Sequence, residues 1–272
     1  MWCDKKVREI NFLTWNTQLY EMGNSLNEEQ VVKKIDMLTF KIVINKVKEF
    51  LDSKNEAVAI LQEIPFKCNI DGFNEHILFS EFFEFFPDDK YVMLYNISSK
   101  SQIKMTVVLA KKMGLEELIY RKNNELNNNM CVSFGIKDLD LSIIGVHPHN
   151  ANELLKWLQV WGFPDIMLGD FNAGDYKKRC EDSMFKVNRD NYRKLISGYT
   201  DICKGQMTRR TVLSNGFVYE TPIDHVLIKN SSELTKKYQC KNVKIEINED
   251  NVSDHYPIYF KLLCLDEADK SQ

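Results

Sequence analysis

The chain has 272 residues, a formal net charge of −3, 44% hydrophobic residues and 28% charged residues, which is the balance of a globular protein with a sizeable core. It contains no run of about 18 apolar residues and no apolar leader after Met1, so no membrane span and no secretory signal are expected, and a cytoplasmic protein is predicted. Its seven cysteines are odd in number and include no Cys-x-x-Cys pair, which argues against a disulfide framework and a thiolate zinc site.

Ten short runs of residues have the length and apolar character of β-strands. Several are continuously apolar, as expected for strands that are covered on both faces. The runs on either side of residues 137–140 have the pattern of a hairpin. In chain order the predicted strands are 10–17, 57–64, 91–97, 106–110, 130–136, 141–147, 165–170, 217–228, 243–247 and 256–263.

Three segments between these runs have helical periodicity. The longest, 28–52, places apolar residues about one turn apart and has Asn27 as a candidate N-cap, and the others are 152–160 and 191–196. Strands and helices mixed in this way predict an α/β fold in which two β-sheets pack face to face with the helices outside. A single domain is predicted for residues 1–265, with a disordered tail at 266–272.

Six of the apolar runs end at, or begin next to, an acid, an amide or a histidine. A charge at the edge of a buried strand is costly unless it is paired or bound to a metal ion. Six such ends therefore indicate that these polar residues lie together at one edge of the sheets and form a site. The residues concerned are Asn16, Glu63, His147, Asp170 with Asn172, Asp224, and Asp254 with His255.

These residue types suit phosphoryl chemistry, which needs a metal on the phosphate oxygens, a positioned water, a base, and donors for the developing charge. A carboxylate such as Glu63 is a hard ligand that suits Mg²⁺ or Mn²⁺. Asp170 has the chemistry to orient or deprotonate the water, and Asn16 and Asn172 can donate hydrogen bonds to phosphate. A neighbouring carboxylate raises the pKa of an imidazole such as that of His255.

Short motifs around these residues occur in the order typical of one superfamily. They are Thr14-Trp15-Asn16-Thr17, Leu61-Gln62-Glu63, Gly145-Val146-His147, Gly169-Asp170-Phe171-Asn172, Ile223-Asp224-His225 and Ser253-Asp254-His255. Together, over residues 11–260, they resemble the endonuclease/exonuclease/phosphatase superfamily, to which deoxyribonuclease I belongs. The resemblance implies a four-layered α/β sandwich of two mixed β-sheets, with the active site at one end of the sheets.

The same resemblance implies a Mg²⁺- or Mn²⁺-dependent phosphodiesterase and suggests which residues hold the ion and the substrate. Glu63 and Asp254 are the implied metal ligands, together with Asn16. By the same likeness Asn16, Asp170 and Asn172 bind and orient the phosphate and the water.

Two histidines receive catalytic roles from the resemblance. Asp224 is expected to pair with His255 and keep its ring charged, and His147 matches the second catalytic histidine of the members that resemble deoxyribonuclease I. His225 departs from the pattern, because many members have tyrosine or arginine there.

Residues 175–210 form a basic span, with ten Lys or Arg against five Asp or Glu, in a chain that is otherwise acidic. Such a span suits a polyanionic substrate, and it equally suits a solvated surface. Arg209 and Arg210 lie shortly before Asp224, so they are candidates for clamping a phosphate group, with a plain exposed pair as the alternative.

These observations predict a metal-dependent nuclease that hydrolyses phosphodiester bonds in nucleic acid, with DNA as the expected substrate. The alternative is a phosphatase or phosphodiesterase that acts on a small phosphoester, an inositol phosphate, a phospholipid or a protein–DNA adduct. No membrane partner is expected, and the motifs specify no oligomeric state.

Overall fold

Fourteen strands and five helices make up the part of the chain that the computed structural model describes, which is residues 7–19, 37–65, 77–96, 104–114, 116–122, 128–175, 183–212, 215–247 and 252–265. The strands are β1 (Arg8–Asn16), β2 (Ala57–Pro65), β3 (Tyr91–Tyr95), β4 (Lys104–Lys111), β5 (Ile119–Arg121), β6 (Cys131–Ile136), β7 (Ile143–Val146), β8 (Ile166–Asp170), β9 (Tyr199–Asp201), β10 (Arg209–Val212), β11 (Val218–Thr221), β12 (Asp224–Lys229), β13 (Tyr238–Ile245) and β14 (Ile258–Cys264). The helices are α1 (Met37–Asp52), α2 (Ile77–Phe85), α3 (Ala151–Trp161), α4 (Ser183–Ile196) and α5 (Ser232–Lys237).

Twelve of the strands form two six-stranded mixed sheets. The first sheet has the order β13-β14-β1-β2-β4-β3, and the second has the order β5-β6-β7-β8-β12-β9. One neighbouring pair in each sheet is parallel, β1 with β2 and β7 with β8, and the other pairs are antiparallel. The remaining strands, β10 and β11, form a separate antiparallel hairpin.

The buried apolar residues divide into three clusters that define four layers. The inner faces of both sheets meet in the first cluster, where Phe12 and Phe260 stack with ring centroids 4.8 Å apart. In the second cluster α1 and α2 cover the outer face of the first sheet, and in the third α3 and α4 cover the outer face of the second. The predicted α/β sandwich of two mixed sheets with helices outside is therefore confirmed.

Most predicted strands are present with ends that differ by a few residues, but the predicted strand 217–228 was wrong. It is two strands, β11 and β12, separated by Pro222 and Ile223, because proline has no N–H for a ladder. The N–H of Ile223 instead donates to the hydroxyl of Thr208 at 3.1 Å.

Five elements escaped prediction, the shorter ones because they contain few residues to establish a period, and α2 because its apolar residues are nearly continuous along the helix. These are β5, β9, β10, α2 and α5. The first predicted helix is present from Met37 onward, while residues 28–36, the candidate cap Asn27 and the tail 266–272 lie outside the described residues. In the described part of the chain, none of the helices has the length and apolar character needed to cross a bilayer.

Gly169, the residue before the end of β8, occupies a position that only glycine fits. Its φ is +135°, and a Cβ atom there would lie 2.2 Å from the carbonyl oxygen of Val146 on the neighbouring strand. A side chain at this position would require a change in the backbone angle of Gly169 or a shift of the Val146 carbonyl. Either change would move the paired strands β7 and β8, and β8 carries the following residue, Asp170.

We therefore expect Gly169→Ala to lower the free energy of unfolding by at least about 2 kcal/mol, as measured by urea denaturation. The matched control is Gly198→Ala, because that glycine has no atom within 4 Å of the added carbon. The control should change stability by less than about 1 kcal/mol. Equal effects of the two substitutions would show that the close approach at Gly169 is not a constraint.

Candidate active site

Strand periodicity carries polar side chains to one end of the space between the sheets. In β1, Ile10 and Phe12 belong to the core between the sheets, and Asn16 continues the same alternation. In β8, Leu168 belongs to that core and Asp170 follows it by two residues. Asn16 and Asp170 therefore lie next to each other at the end of the apolar core between the sheets.

Strand β12 enters the same region from the opposite direction. Asp224 lies directly opposite Asp170 in the antiparallel ladder between β12 and β8. Thr208 fixes the start of β12, because its hydroxyl accepts hydrogen bonds from the N–H groups of Ile223 at 3.1 Å and Asp224 at 2.9 Å. Two buried carboxyl groups are thereby placed side by side.

Glu63 reaches the site through a β-bulge. Leu61 and Ile64 both belong to the outer cluster of the first sheet, although they are three residues apart, and the ladder between β2 and β4 shifts register between them. Glu63 has a φ of +58°, which is rare for a residue with a side chain. The extra residue turns Glu63 away from the outer face, as bulges beside active sites commonly do.

Asp170 is the centre of the polar contacts and is 1% exposed. Its Oδ2 accepts a hydrogen bond from Asn16 Nδ2 at 2.9 Å and lies 3.5 Å from His147 Nε2 and 3.8 Å from His255 Nε2. Burial and the nearby Asp224 raise the pKa of Asp170 to about 6, against the lowering effect of His255 and the hydrogen bonds. The carboxylate is therefore ionised at neutral pH, yet closer to its pKa than an ordinary aspartate.

His255 and Asp224 form a buried pair. The ring Nδ1 lies 2.9 and 3.0 Å from the two carboxylate oxygens of Asp224. Burial alone would lower the pKa of His255, but Asp224 and then Asp170 outweigh it and raise the pKa to about 9. His255 is thus protonated at neutral pH, with Nδ1–H donating to Asp224 and Nε2–H directed toward Asp170 and Asp254.

His147 has the opposite protonation state although it touches the same carboxylate. It is 3% exposed, and burial, followed by the positive charges of Lys104 and His255, holds its pKa well below the usual value. Its Nε2 lies 3.3 Å from Glu63 Oε1, and because the ring is neutral this contact is not an ion pair. The charged partner of Glu63 is Lys104, with Nζ 2.9 Å from Oε1.

Asp254 and Arg209 close another side of the site. Arg209 Nε donates to Asp254 Oδ2 at 2.7 Å, while Asp254 Oδ1 is buried, has no hydrogen-bond partner and lies 3.4 Å from His255 Nε2. Arg210 has an exposed side chain, and residues along β10 alternate between the two faces, so Arg209 reaches the site and Arg210 does not.

Asn172 supports Asp170 through its backbone. Its N–H donates to Asp170 Oδ1 at 2.7 Å, and its side-chain amide donates to the carbonyl of Pro148 at 2.9 Å. The residue has a φ of +46°, a conformation that asparagine tolerates better than most residues. The structure thus shows Asn172 holding its own turn, and the phosphate contact proposed from the sequence remains a prediction.

Most of the residues singled out from the sequence are therefore joined by one chain of contacts. We call this set the Asp170 cluster; its members are Asn16, Glu63, His147, Asp170, Asn172, Asp224, Asp254, His255 and Arg209. Sequence reasoning missed Lys104 and Thr208, which belong to no recognisable motif and reach the cluster only through the packing of β4 and the approach to β10.

Within the described residues, one group of three acids or histidines lies close enough to share an ion: Asp170, Asp224 and His255, with ligand atoms within 4.8 Å of one another. It differs from the predicted ligands Glu63 and Asp254. His255 is a poor ligand in this state because both of its ring nitrogens carry hydrogen.

No model of a protein family matches this sequence, and no curated protein matches it either. Solved structures do match over nearly the whole chain. The endonuclease domain of TRAS1, a telomere-specific non-LTR retrotransposon, superposes with a TM-score of 0.54 at 14% identity, covering 92% of this chain and 97% of that one.

Two further structures are similar. ANGEL2, a 2′,3′-cyclic phosphatase in complex with adenosine-2′,3′-vanadate, gives a TM-score of 0.52 at 12% identity and covers 95% of this chain and 96% of its own. An endonuclease/exonuclease/phosphatase from Beutenbergia cavernae DSM 12333 gives 0.52 at 12% identity, with 94% of this chain and 72% of its own covered. At such low identities the likeness concerns the fold.

The charge on His255 is expected to depend on Asp224. Asp224→Asn removes the main cause of the raised pKa, so the pKa of His255 should fall from about 9 toward its ordinary value of 6.5. An NMR titration of the histidine rings in metal-free protein measures this directly. Asp201→Asn, which alters an acid beside His225 instead, is the matched control and should leave the His255 titration in place. A His255 pKa that does not respond to Asp224→Asn would refute the pairing.

Proposed function

This chain has the endonuclease/exonuclease/phosphatase fold, and on that premise we propose that it is a divalent-metal-dependent hydrolase of phosphoester bonds whose substrate is a phosphodiester of nucleic acid. One observation carries the proposal: a buried, ionised carboxylate, Asp170, lies between a protonated histidine, His255, and a neutral one, His147. A base next to a fixed cation is the arrangement that attack of water on phosphorus requires.

The cluster fits an oxygen-ligated cation such as Mg²⁺ or Mn²⁺. Asp254 Oδ1 is a buried carboxylate oxygen without a hydrogen-bond partner, which is an uncommon situation that a cation would relieve. We assign Asp254 and Glu63 as the residues that hold the ion, since carboxylate oxygens are its preferred ligands. Asn16 donates its amide to Asp170, so we place it in the positioning of that carboxylate. When bound, the ion supplies positive charge to the phosphate oxygens.

The residues of the chain have complementary roles in this proposal. Asp170 orients the attacking water and accepts its proton, as its pKa of about 6 allows at neutral pH. His255 donates from Nε2 to a phosphate oxygen and stabilises the negative charge that develops there, while Asp224 keeps the ring charged and oriented. The neutral His147 contributes a hydrogen bond without adding a second cation.

Nucleic acid is favoured as the substrate by charge and by analogy. Arg209 brings one guanidinium of the basic span into the site, and an endonuclease domain is among the structures with the same fold. ANGEL2, which shares the fold, is a 2′,3′-cyclic phosphatase, and this likeness keeps a phosphatase acting on a small phosphoester as the second candidate.

The proposed function is tested by hydrolysis assays on plasmid DNA, single-stranded DNA, RNA and small phosphoesters. EDTA should abolish hydrolysis, and Mg²⁺ or Mn²⁺ should restore it. Asp170→Asn keeps the shape of the side chain but removes the base, so kcat should fall by about 10²- to 10⁴-fold. Full activity in EDTA, or in Asp170→Asn, would exclude this mechanism.

The same assays separate the two candidate substrates. The affinity for a polyanion that is held by several basic groups falls steeply as the salt concentration rises, and the rate of cleavage below saturation falls with it. Hydrolysis of nucleic acid with such a salt dependence supports the nuclease, whereas turnover of small phosphoesters alone, with a flat salt response, supports the phosphatase.

Arg209 and Arg210 provide a matched pair. Arg209→Ala removes a guanidinium that contacts Asp254, so it should lower kcat/KM by roughly 10-fold or more, because charge-assisted hydrogen bonds are among the strong ones. Arg210→Ala removes the same charge from an exposed side chain and should change kcat/KM by less than about threefold at physiological salt. Equal losses in the two variants would indicate a general electrostatic effect instead of a contact at the site.

A further inference from the structure

A third buried histidine, His225, lies behind the site, on the outer face of β12. Asp224 faces the space between the sheets, so the next residue, His225, faces the cluster formed with α3 and α4. His225 is 1% exposed and its ring packs against Phe171 and Tyr192, with centroids 5.4 and 4.5 Å away. Nothing in the proposed chemistry uses it.

Both ring nitrogens of His225 lie within hydrogen-bond distance of oxygen atoms. Nε2 lies 2.8 Å from the carbonyl oxygen of Ala173, and Nδ1 lies 3.0 Å from both Asp201 Oδ2 and the Tyr192 hydroxyl. Because a carbonyl oxygen only accepts hydrogen bonds, Nε2 carries hydrogen and donates to Ala173. Asp201 and Tyr192 hold the ring at Nδ1.

Asp201 is itself anchored. Its Oδ2 accepts from the Tyr192 hydroxyl at 3.2 Å and its Oδ1 from the N–H of Cys203 at 2.9 Å. Burial works to raise the pKa of Asp201, and the contact with His225 more than offsets this and lowers it. The side chains of α4, β9 and β12 thus form one connected group.

On its Nε2 side, His225 contacts the turn that directly follows Asp170. Ala173 follows Asn172, whose left-handed backbone is held by Asn188, with Nδ2 donating to the Asn172 carbonyl. At Gly174 a Cβ atom would lie 1.9 Å from the carbonyl oxygen of Pro222, so the turn is pressed closely onto the segment before β12. Without His225, the Ala173 carbonyl would lose the partner that ties the turn to β12.

We propose that His225 is a positioning residue: anchored by Asp201 and Tyr192, it holds the Ala173 carbonyl and thereby fixes the turn whose Asn172 N–H orients Asp170. The expected effect of His225 on the rate rests on the proposed function, whereas its effect on the position of the turn 171–174 does not. A misplacement of a reacting group by about 1 Å costs up to about 10²-fold in rate. Loss of the contact between His225 and the turn beside Asp170 should therefore change the rate measurably.

Two substitutions of His225 separate the contact with Ala173 from the contact with Asp201. In His225→Gln the side-chain amide nitrogen reaches the former place of Nε2 and can still donate to Ala173. In His225→Asn the amide nitrogen reaches only the place of Nδ1, so the contact with Asp201 is kept and the contact with Ala173 is lost. Both variants lose the ring, and we expect similar falls in melting temperature.

On the substrate that wild-type protein hydrolyses, His225→Asn should lower kcat by about 10- to 100-fold with KM within about threefold, and His225→Gln should retain kcat within about fivefold. A purely structural role predicts instead that kcat follows melting temperature in both variants, and that result would overturn the proposal. Should His225→Asn fail to fold, Asp201→Asn removes the anchor with little change of shape and should also lower kcat at unchanged KM; unchanged kcat in that variant would overturn the proposal.

Two measurements do not depend on activity. ¹⁵N NMR of the His225 ring should show hydrogen on Nε2, and an Nε2 without hydrogen would overturn the contact with the Ala173 carbonyl. Crystal structures should show the turn at 171–174 displaced in His225→Asn and in place in His225→Gln, and an undisplaced turn in both would overturn the positioning role. A wild-type protein inactive on every phosphoester would refute the proposed function, while these two measurements would still decide the role of His225.

Discussion

A carboxylate buried between two sheets is the constraint on which the rest of the site depends. The side chain of Asp170 is 1% exposed, and an ionised group in that position is stable only with donors and positive charge around it. Asn16 and the N–H of Asn172 supply the hydrogen bonds, and His255 supplies the charge. Because Asp224 lies directly opposite Asp170, the charge of His255 also relieves the repulsion between the two acids.

The two faces of the second sheet carry two separate groups of polar residues. The period of two residues along β12 places Asp224 in the Asp170 cluster and His225 among the apolar residues under α4. The inner face holds the charged groups that face the substrate in our proposal. The outer face holds a second set, with His225, Asp201 and Tyr192, that in our proposal fixes the position of the turn after β8.

The backbone departs from regular strand geometry at two residues of the Asp170 cluster. Glu63 and Asn172 both have positive φ, and Glu63 also occupies a bulge. Such conformations cost of order 1–3 kcal/mol each and persist only where the surroundings enforce them. In both places the enforcing contacts are present: Lys104 and His147 lie against Glu63, and Pro148 and Asn188 hold Asn172.

The sequence by itself indicated two sheets packed face to face with helices outside, and its motifs, through their resemblance to a known superfamily, implied that the sheets are mixed. It also indicated which residues meet at one end of the sheets, because apolar strands that stop at acids, amides and histidines are a local pattern. Pro222 marks the break in 217–228 within the sequence, and the prediction of one strand there overlooked it. The sequence did not determine which of two adjacent arginines reaches the site or that Lys104 pairs with Glu63. Those outcomes depend on register, on a bulge and on the approach of strands distant in the chain. A shift of one residue reverses the face of every side chain in a strand, so only the tertiary structure decided them.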